Sequence, residues 1–195
     1  VSRVGEVRRT TGETDVRVRL DLDGTGVALA ATGVGFLDHM LTLLARHSLI
    51  DIEVEARGDL QTGGHHTVED VGITLGQALD RALGDRAGIE RYGDALVPMD
   101  ECLVQCAIDI SGRPLLAMDV PLPTTVIGGF ETETLAELMR GLANHAGLTL
   151  HLRLLVPGNA HHAVEGCFKA LARALRDAVA ANPRSPGVPS TKGSL

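Results

Sequence analysis

The pattern His-His-x-x-Glu occurs twice in this chain, as His65-His66-Thr67-Val68-Glu69 and His161-His162-Ala163-Val164-Glu165, with starts 96 positions apart. Imidazole and carboxylate donors together suit manganese, iron, cobalt, nickel or zinc. On a helix, residues four apart share a face, so His65 and Glu69 point the same way. His66 is rotated by about 100° and faces elsewhere. One motif can therefore feed two ions, and two motifs can build two equivalent sites. A single His-His pair is as readily a surface helix start. Two copies with the same glutamate spacing, each leading into a similar apolar stretch, point to metal chemistry.

The elements that must position these motifs are duplicated too. Ahead of each motif lies a metal-capable residue eight positions before a histidine: His39 before His47, and Glu137 before His145. Glu137 is thus the internal mate of His39. Further upstream, the stretch Glu13 to Gly24 matches Glu101 to Gly112, with an Asp eight positions after each Glu (Asp21, Asp109). The halves join in the turn-rich stretch Asp85–Ala95. In each half, alternating apolar residues predict half-buried strands: Val16, Val18, Leu20 and Leu22, then Ile50, Ile52 and Val54. Their mates are Val104, Cys106, Ile108 and Ile110, then Leu148, Leu150, Leu152 and Leu154. Helical spacing covers Phe36–Arg46 and Leu135–Asn144. Longer apolar stripes follow each motif: Val68, Val71, Leu75, Leu79, Ala82 and Val164, Phe168, Leu171, Ala172, Leu175.

The expected fold is α+β, internally duplicated, each half a mostly antiparallel sheet with two helices on one face. The expected organisation is a first repeat over 1–88, a second over 89–182 and a C-terminal tail over 183–195, acting as one functional unit.

Composition narrows the function. The net charge of −7, with three Phe, one Tyr and no Trp, argues against a nucleic-acid surface with stacking platforms. Three cysteines (Cys102, Cys106, Cys167) without zinc spacing, and no leader segment, are expected of reduced thiols in the cytoplasm. No apolar run reaches the ~20 residues of a membrane span. His47 and His145 fall late in their helices, where a cation or a donor to a carbonyl is favoured over a ligand. His151 sits on the polar face of its strand. Arg91 and Arg113 adjoin glycine-containing turns; either can grip an anion, although a plain surface arginine is the commoner case. The tail carries Ser190-Thr191-Lys192-Gly193, hydroxyls and a charge that suit a phosphate but are a weak signal alone.

Phe36-Leu-Asp-His39-Met40, His65 to Asp70, Ser111-Gly-Arg-Pro114, Leu150-His-Leu-Arg153, His161 to Glu165, Phe168 to Leu175 and Ser190 to Gly193, taken in order, resemble the imidazoleglycerol-phosphate dehydratases. The resemblance covers essentially the whole chain. It implies a lyase of L-histidine biosynthesis that converts imidazole glycerol phosphate to imidazole acetol phosphate and water, through a metal-bound imidazolate and a diazafulvene. It implies two manganese ions per active site and a homo-oligomer, a 24-mer with sites between subunits. The implied metal ligands are His39, His65, His66, Glu69, Glu137, His161, His162 and Glu165. Several relatives carry histidine where Glu137 stands here; the repeat makes Glu137 the mate of His39, and a carboxylate is a reasonable manganese ligand. Glu13 and His39 are implied at the substrate, with Arg91, Arg113, Ser190, Thr191 and Lys192 at its phosphate. Glu13, Glu69 and Glu165 are the implied catalytic carboxylates, and Glu13 is expected to move a proton. A di-metal phosphate-ester hydrolase shares the ligands but lacks its expected Asp-rich pattern here. A scaffold held together by metal alone would have no turnover to lose.

Overall fold

The structure, a computed structural model, describes residues 3–193 and Leu195. Val1 and Ser2 of the first repeat, and Ser194 of the tail, lie outside the described residues. The first half runs β1 (Val4–Thr10), β2 (Thr14–Asp21), β3 (Ala28–Ala31), α1 (Gly35–Ser48), β4 (Asp51–Gly58), a short 3-10 turn at Leu60–Thr62, and α2 (His65–Leu83). The second runs β5 (Tyr92–Met99), β6 (Cys102–Asp109), β7 (Leu115–Asp119), a small hairpin of β8 (Val126–Ile127) and β9 (Phe130–Glu131), α3 (Thr134–Ala146), β10 (Thr149–Val156) and α4 (Ala160–Val179).

The two sheets have the same topology, β1-β2-β4-β3 and β5-β6-β10-β7. Three strands of each are antiparallel, and the short fourth strand is parallel to its neighbour. Period-two patterning sets the faces: Val16, Val18 and Leu20 are buried, while Arg17 and Arg19 turn outward to pair with Glu6 and Glu53.

Helices cover the inner face of each sheet, α2 on β1 and β2, α4 on β5 and β6. The helix layers then pack on each other across the halves, α2 against α3 and α1 against α4, so both halves share one core. The pseudo-twofold extends to single atoms. A Cβ on Gly5 would lie 1.9 Å from the Ala78 carbonyl oxygen, and one on its mate Gly93 would lie 1.9 Å from that of Ala174. Strand and helix touch at these points, so no side chain fits.

The helices expected from spacing are present, a turn longer in all at their ends. The outer strands β1, β3, β5 and β7 and the β8–β9 hairpin were not foreseen; β3, β7 and the hairpin are short, and β1 and β5 bury few apolar side chains, so all carry little periodic signal. β5 already starts at Tyr92, so strand replaces turn over the last part of the expected join.

Candidate metal and substrate site

The start of α1 and the start of α4 meet. Asp38 accepts hydrogen bonds from the Thr32 N–H (2.9 Å) and hydroxyl (2.7 Å), which fixes the first turn of α1. Asn159 caps α4 by accepting from the His161 N–H at 2.8 Å. His39 Nε2 and His161 Nε2 then lie 3.7 and 3.3 Å from the same oxygen of Glu165, Oε2. These separations are loose for hydrogen bonds and natural for donors around one ion. Phe36 backs the group, its ring edge-on to His161 with centroids 4.9 Å apart, and Phe130 of the hairpin backs Phe36. Glu165 is buried, and burial pushes its carboxyl pKa up. The hydrogen bond and charge of Lys169, 2.6 Å away, with His39 and His161 beside them, outweigh burial and leave it lowered.

The symmetric partner group is on α2 and α3. His65 Nε2 lies 3.9 Å from Glu69 Oε2, both side chains about half exposed. Glu137 sits in the first turn of α3, which packs on α2 as α1 packs on α4. It pairs here with Arg140.

The second histidine of each motif faces elsewhere, as the 100° rotation requires, and each is gripped by a carboxylate at Nδ1. His66 is 3.0 Å from Asp59, and His162 is 3.0 Å from Glu101. Both imidazole pKa values are raised, chiefly by these hydrogen bonds. Asp59 is lowered by the same bond to His66. Glu101 is pulled down to about 2, first by the Asn159 N–H (2.6 Å), then by its own N–H and His162. A carboxylate on Nδ1 sets the tautomer that leaves Nε2 free to bind a metal. Asp100, Glu101 and His162 also bring ligand atoms within 4.8 Å of one another, but Glu101 is already spent on two N–H groups. Imidazoles, carboxylates and this support fit a divalent ion such as manganese.

Glu13 and Glu101 are repeat mates with different surroundings. In the first half Asp59 takes the histidine, and Glu13 stands 3.7 Å from His66 with its side chain 57% exposed.

At the other end of α4 an open pocket of about 830 Å³ is lined by Arg91, Tyr92, Arg113, Ser190, Thr191 and Lys192 among others. Its arginines differ. Arg91 is tied to both oxygens of Asp109 (2.7 and 3.1 Å) and donates to the Pro189 carbonyl at 2.8 Å. It therefore organises the tail, and these bonds leave two of its five N–H donors over in the pocket that it lines. Arg113 is open to solvent. The tail is docked: Gly88 N–H donates to Gly187, and Asn182 N–H to Gly88. From His162 to Ala178, which accepts the Arg91 N–H, α4 spans about 24 Å.

Of the expected residues, the structure joins His39, His161 and Glu165; His65 and Glu69; His66 and Glu13; and Arg91, Arg113, Ser190, Thr191 and Lys192. His162 meets Glu101. Among the described residues no ion pair or hydrogen bond links the pocket to the metal groups. Asp59, Glu101 as the holder of His162, and Lys169 were missed. Lys169 was findable as the residue four after Glu165; Asp59 reaches His66 only through the fold. His145 Nδ1–H donates to the Gly141 carbonyl (3.0 Å), the structural role expected of it. No described helix is long and apolar enough to cross a membrane.

A model of the imidazoleglycerol-phosphate dehydratase family matches residues 32–175. The imidazoleglycerol-phosphate dehydratase of Methylibium petroleiphilum is 60% identical over 195 residues, 100% of this chain and 98% of that protein. That of Paracidovorax citrulli is 58% identical over 194 residues, 99% and 93% of the two chains. Among solved structures, the Staphylococcus aureus enzyme superposes with a TM-score of 0.83 at 39% identity, covering 92% of this chain and 99% of that one. The Pyrococcus furiosus enzyme in complex with (S)-C348 also gives 0.83, at 40% identity over 97% and 100%. The long matches cover Glu13 and the tail, which the family model leaves out.

Proposed function

The chain belongs to the imidazoleglycerol-phosphate dehydratase family, carbon–oxygen lyases of histidine biosynthesis, and from that membership we propose how its own residues perform the dehydration. Two manganese ions would be held by the two symmetric groups, one by His39, His161 and Glu165, the other by His65, Glu69 and Glu137. His66 and His162 complete sets on neighbouring copies. When bound, such ions would supply Lewis acidity toward the substrate ring.

The chemistry explains why both faces of a flat ring need a donor set. The hydroxyl to be lost sits on the carbon next to the ring, and the proton to be lost sits one carbon further, with no carbonyl to acidify it. Charge placed on the ring expels the hydroxyl and gives a conjugated diazafulvene, whose neighbouring C–H is acidic. Glu13 moves one of the protons, free to do so because Asp59 has relieved it of holding His66. Glu69 and Glu165 serve as carboxylate ligands. Arg113, Ser190, Thr191 and Lys192 hold the phosphate, and Arg91 holds the tail that carries the last three.

A site between subunits is supported by length. The ring end and the phosphate end lie about 24 Å apart along α4, whereas ring and phosphorus of the substrate are well under about 10 Å apart. One copy therefore brings metal ligands and another brings the phosphate pocket, within a homo-oligomer taken as the 24-mer. The buried free thiols of Cys102, Cys106 and Cys167 support a reducing, cytoplasmic setting.

The observation that carries the reading is the pair of His–Glu groups related by the repeat. The test is turnover of imidazole glycerol phosphate by metal-stripped protein as manganese is returned. Activity that rises to saturation near two ions per chain is expected. No dehydration at full occupancy overturns it, and release of inorganic phosphate would mark a hydrolase.

A further inference from the structure

Asp70 follows the first motif and lies four residues after His66, so it shares that histidine's face of α2. It is 8% exposed. Its carboxylate accepts the Thr14 hydroxyl, and Arg9 Nη1 lies 2.5 Å from Oδ2, a charge contact without hydrogen-bond geometry. From there a chain of hydrogen bonds runs outward. The Thr11 and Thr14 hydroxyl oxygens are 3.2 Å apart, and Thr11 Oγ1 accepts the backbone N–H of Glu13 (3.2 Å) and of Thr14 (3.0 Å). With Thr14 donating to Asp70 and Thr11 donating to Thr14, every bond in the chain polarises the next.

The second half is an internal control. Val97 pairs with Val104 as Arg9 pairs with Val16, so the mates of Arg9, Thr14 and Asp70 are Val97, Cys102 and Gly166. The equivalent strand hairpin packs on α4 there with neither buried charge and with a weakly polar thiol, 3.8 Å from Glu101 Oε1, in place of the Thr14 hydroxyl. The fold does not need the trio, and a buried ion pair is weak support for stability when an apolar set fits. What differs between the halves is the carboxylate at the hairpin turn. Glu101 is fixed by bonds to its own oxygens. Glu13 has no hydrogen bond to its carboxylate among the described residues, and a group that transfers protons must keep those oxygens free. Its backbone has to be held instead.

We propose that Asp70 is a positioning residue for Glu13: through Thr14 and Thr11 it locks the hairpin turn onto the α2 face that presents His66, and so aims Glu13 at the substrate. This rests on the reading of Glu13 as a proton-transfer group.

The test uses manganese-loaded enzyme and imidazole glycerol phosphate. Asp70→Ala, and the triple variant Arg9→Val/Thr14→Cys/Asp70→Gly that installs the second half's residues, should lose about tenfold to a hundredfold in kcat with KM within about twofold and metal content unchanged. Asp70→Asn, which keeps an acceptor for Thr14, should recover part of the loss. In a Glu13→Gln background the same changes should cost little more, because they act through Glu13. Full kcat in the folded variants, or an equal loss on top of Glu13→Gln, overturns the proposal alone. A triple variant that fails to fold also overturns it, since the trio then serves the fold. Full kcat in Glu13→Gln itself removes the role of Glu13 and the proposal with it.

Discussion

Glu13 and Glu101 occupy one position of the repeat in different surroundings, so the same substitution should separate them. Glu13→Gln should lower kcat by about 10²- to 10⁴-fold and leave manganese binding intact. Glu101→Gln should weaken manganese binding by about tenfold to a hundredfold, because His162 loses the partner that fixes its tautomer. Steady-state kinetics beside metal titration reads both; swapped outcomes would reverse the assignment. A pH effect belongs to the same residues. His66 and His162 have raised pKa values in the metal-free fold, so each contributes stability below its ordinary value that fades as pH rises through the raised one. Manganese binding has the opposite sign, since a protonated imidazole must release its proton to ligate. Manganese should therefore bind more tightly at about pH 8 than at about pH 6, with protons released on uptake. Affinity that is flat across this range would remove both histidines from the ligand set.

At the scale of elements, the repeat is itself a tool for finding strain. α1 ends on Leu49 in the left-handed region (φ 63°), and α3 ends on its mate Gly147 (φ 65°). Leu49 is partly exposed and gives up little packing. The left-handed conformation costs a branched residue about 1–2 kcal/mol, and glycine returns part of that through the freedom of its unfolded chain. Leu49→Gly should stabilise by about 0.5–1 kcal/mol, measured by thermal unfolding of matched metal-free samples; a lower Tm would show that the side chain contributes more than the strain. The core strands and all four helices were legible because one face of each is apolar at a fixed period. β3 and β7 were not, because four or five residues at a sheet edge carry too little pattern. Nor was the β8–β9 hairpin, although Phe130 supports Phe36 behind His161 and Glu131 accepts from Gly64 N–H (3.3 Å) at the start of α2. That hairpin has no mate in the first half, so the repeat could not reveal it.

For the whole molecule, sequence exposed the pseudo-twofold, and with it the paired His-His-x-x-Glu motifs and the kinship of His39 and Glu137. It could not expose distance. The motif and the pocket-forming tail adjoin the two ends of α4, and only the straight helix between them sets the two about 24 Å apart, the distance on which the proposal of a site between subunits rests. This separation predicts complementation. Glu165→Gln removes the metal end of a chain and leaves its phosphate end intact. Arg113→Ala/Lys192→Ala removes phosphate contacts, raises KM and leaves the metal end intact. Each homo-oligomer should be poor for its own reason. Co-expressed and assembled together, they combine an intact metal end from one chain with an intact phosphate end from the other. If each site takes its two ends from two chains, random mixing makes about a quarter of the sites fully native. Mixed oligomers should then recover activity with parental KM on that order, while the same purified variants combined without subunit exchange should not. Sites built within one chain would always carry one damaged end, and no mixture would show a parental-KM component. The kinetics of the mixture therefore decide whether the substrate lies between subunits.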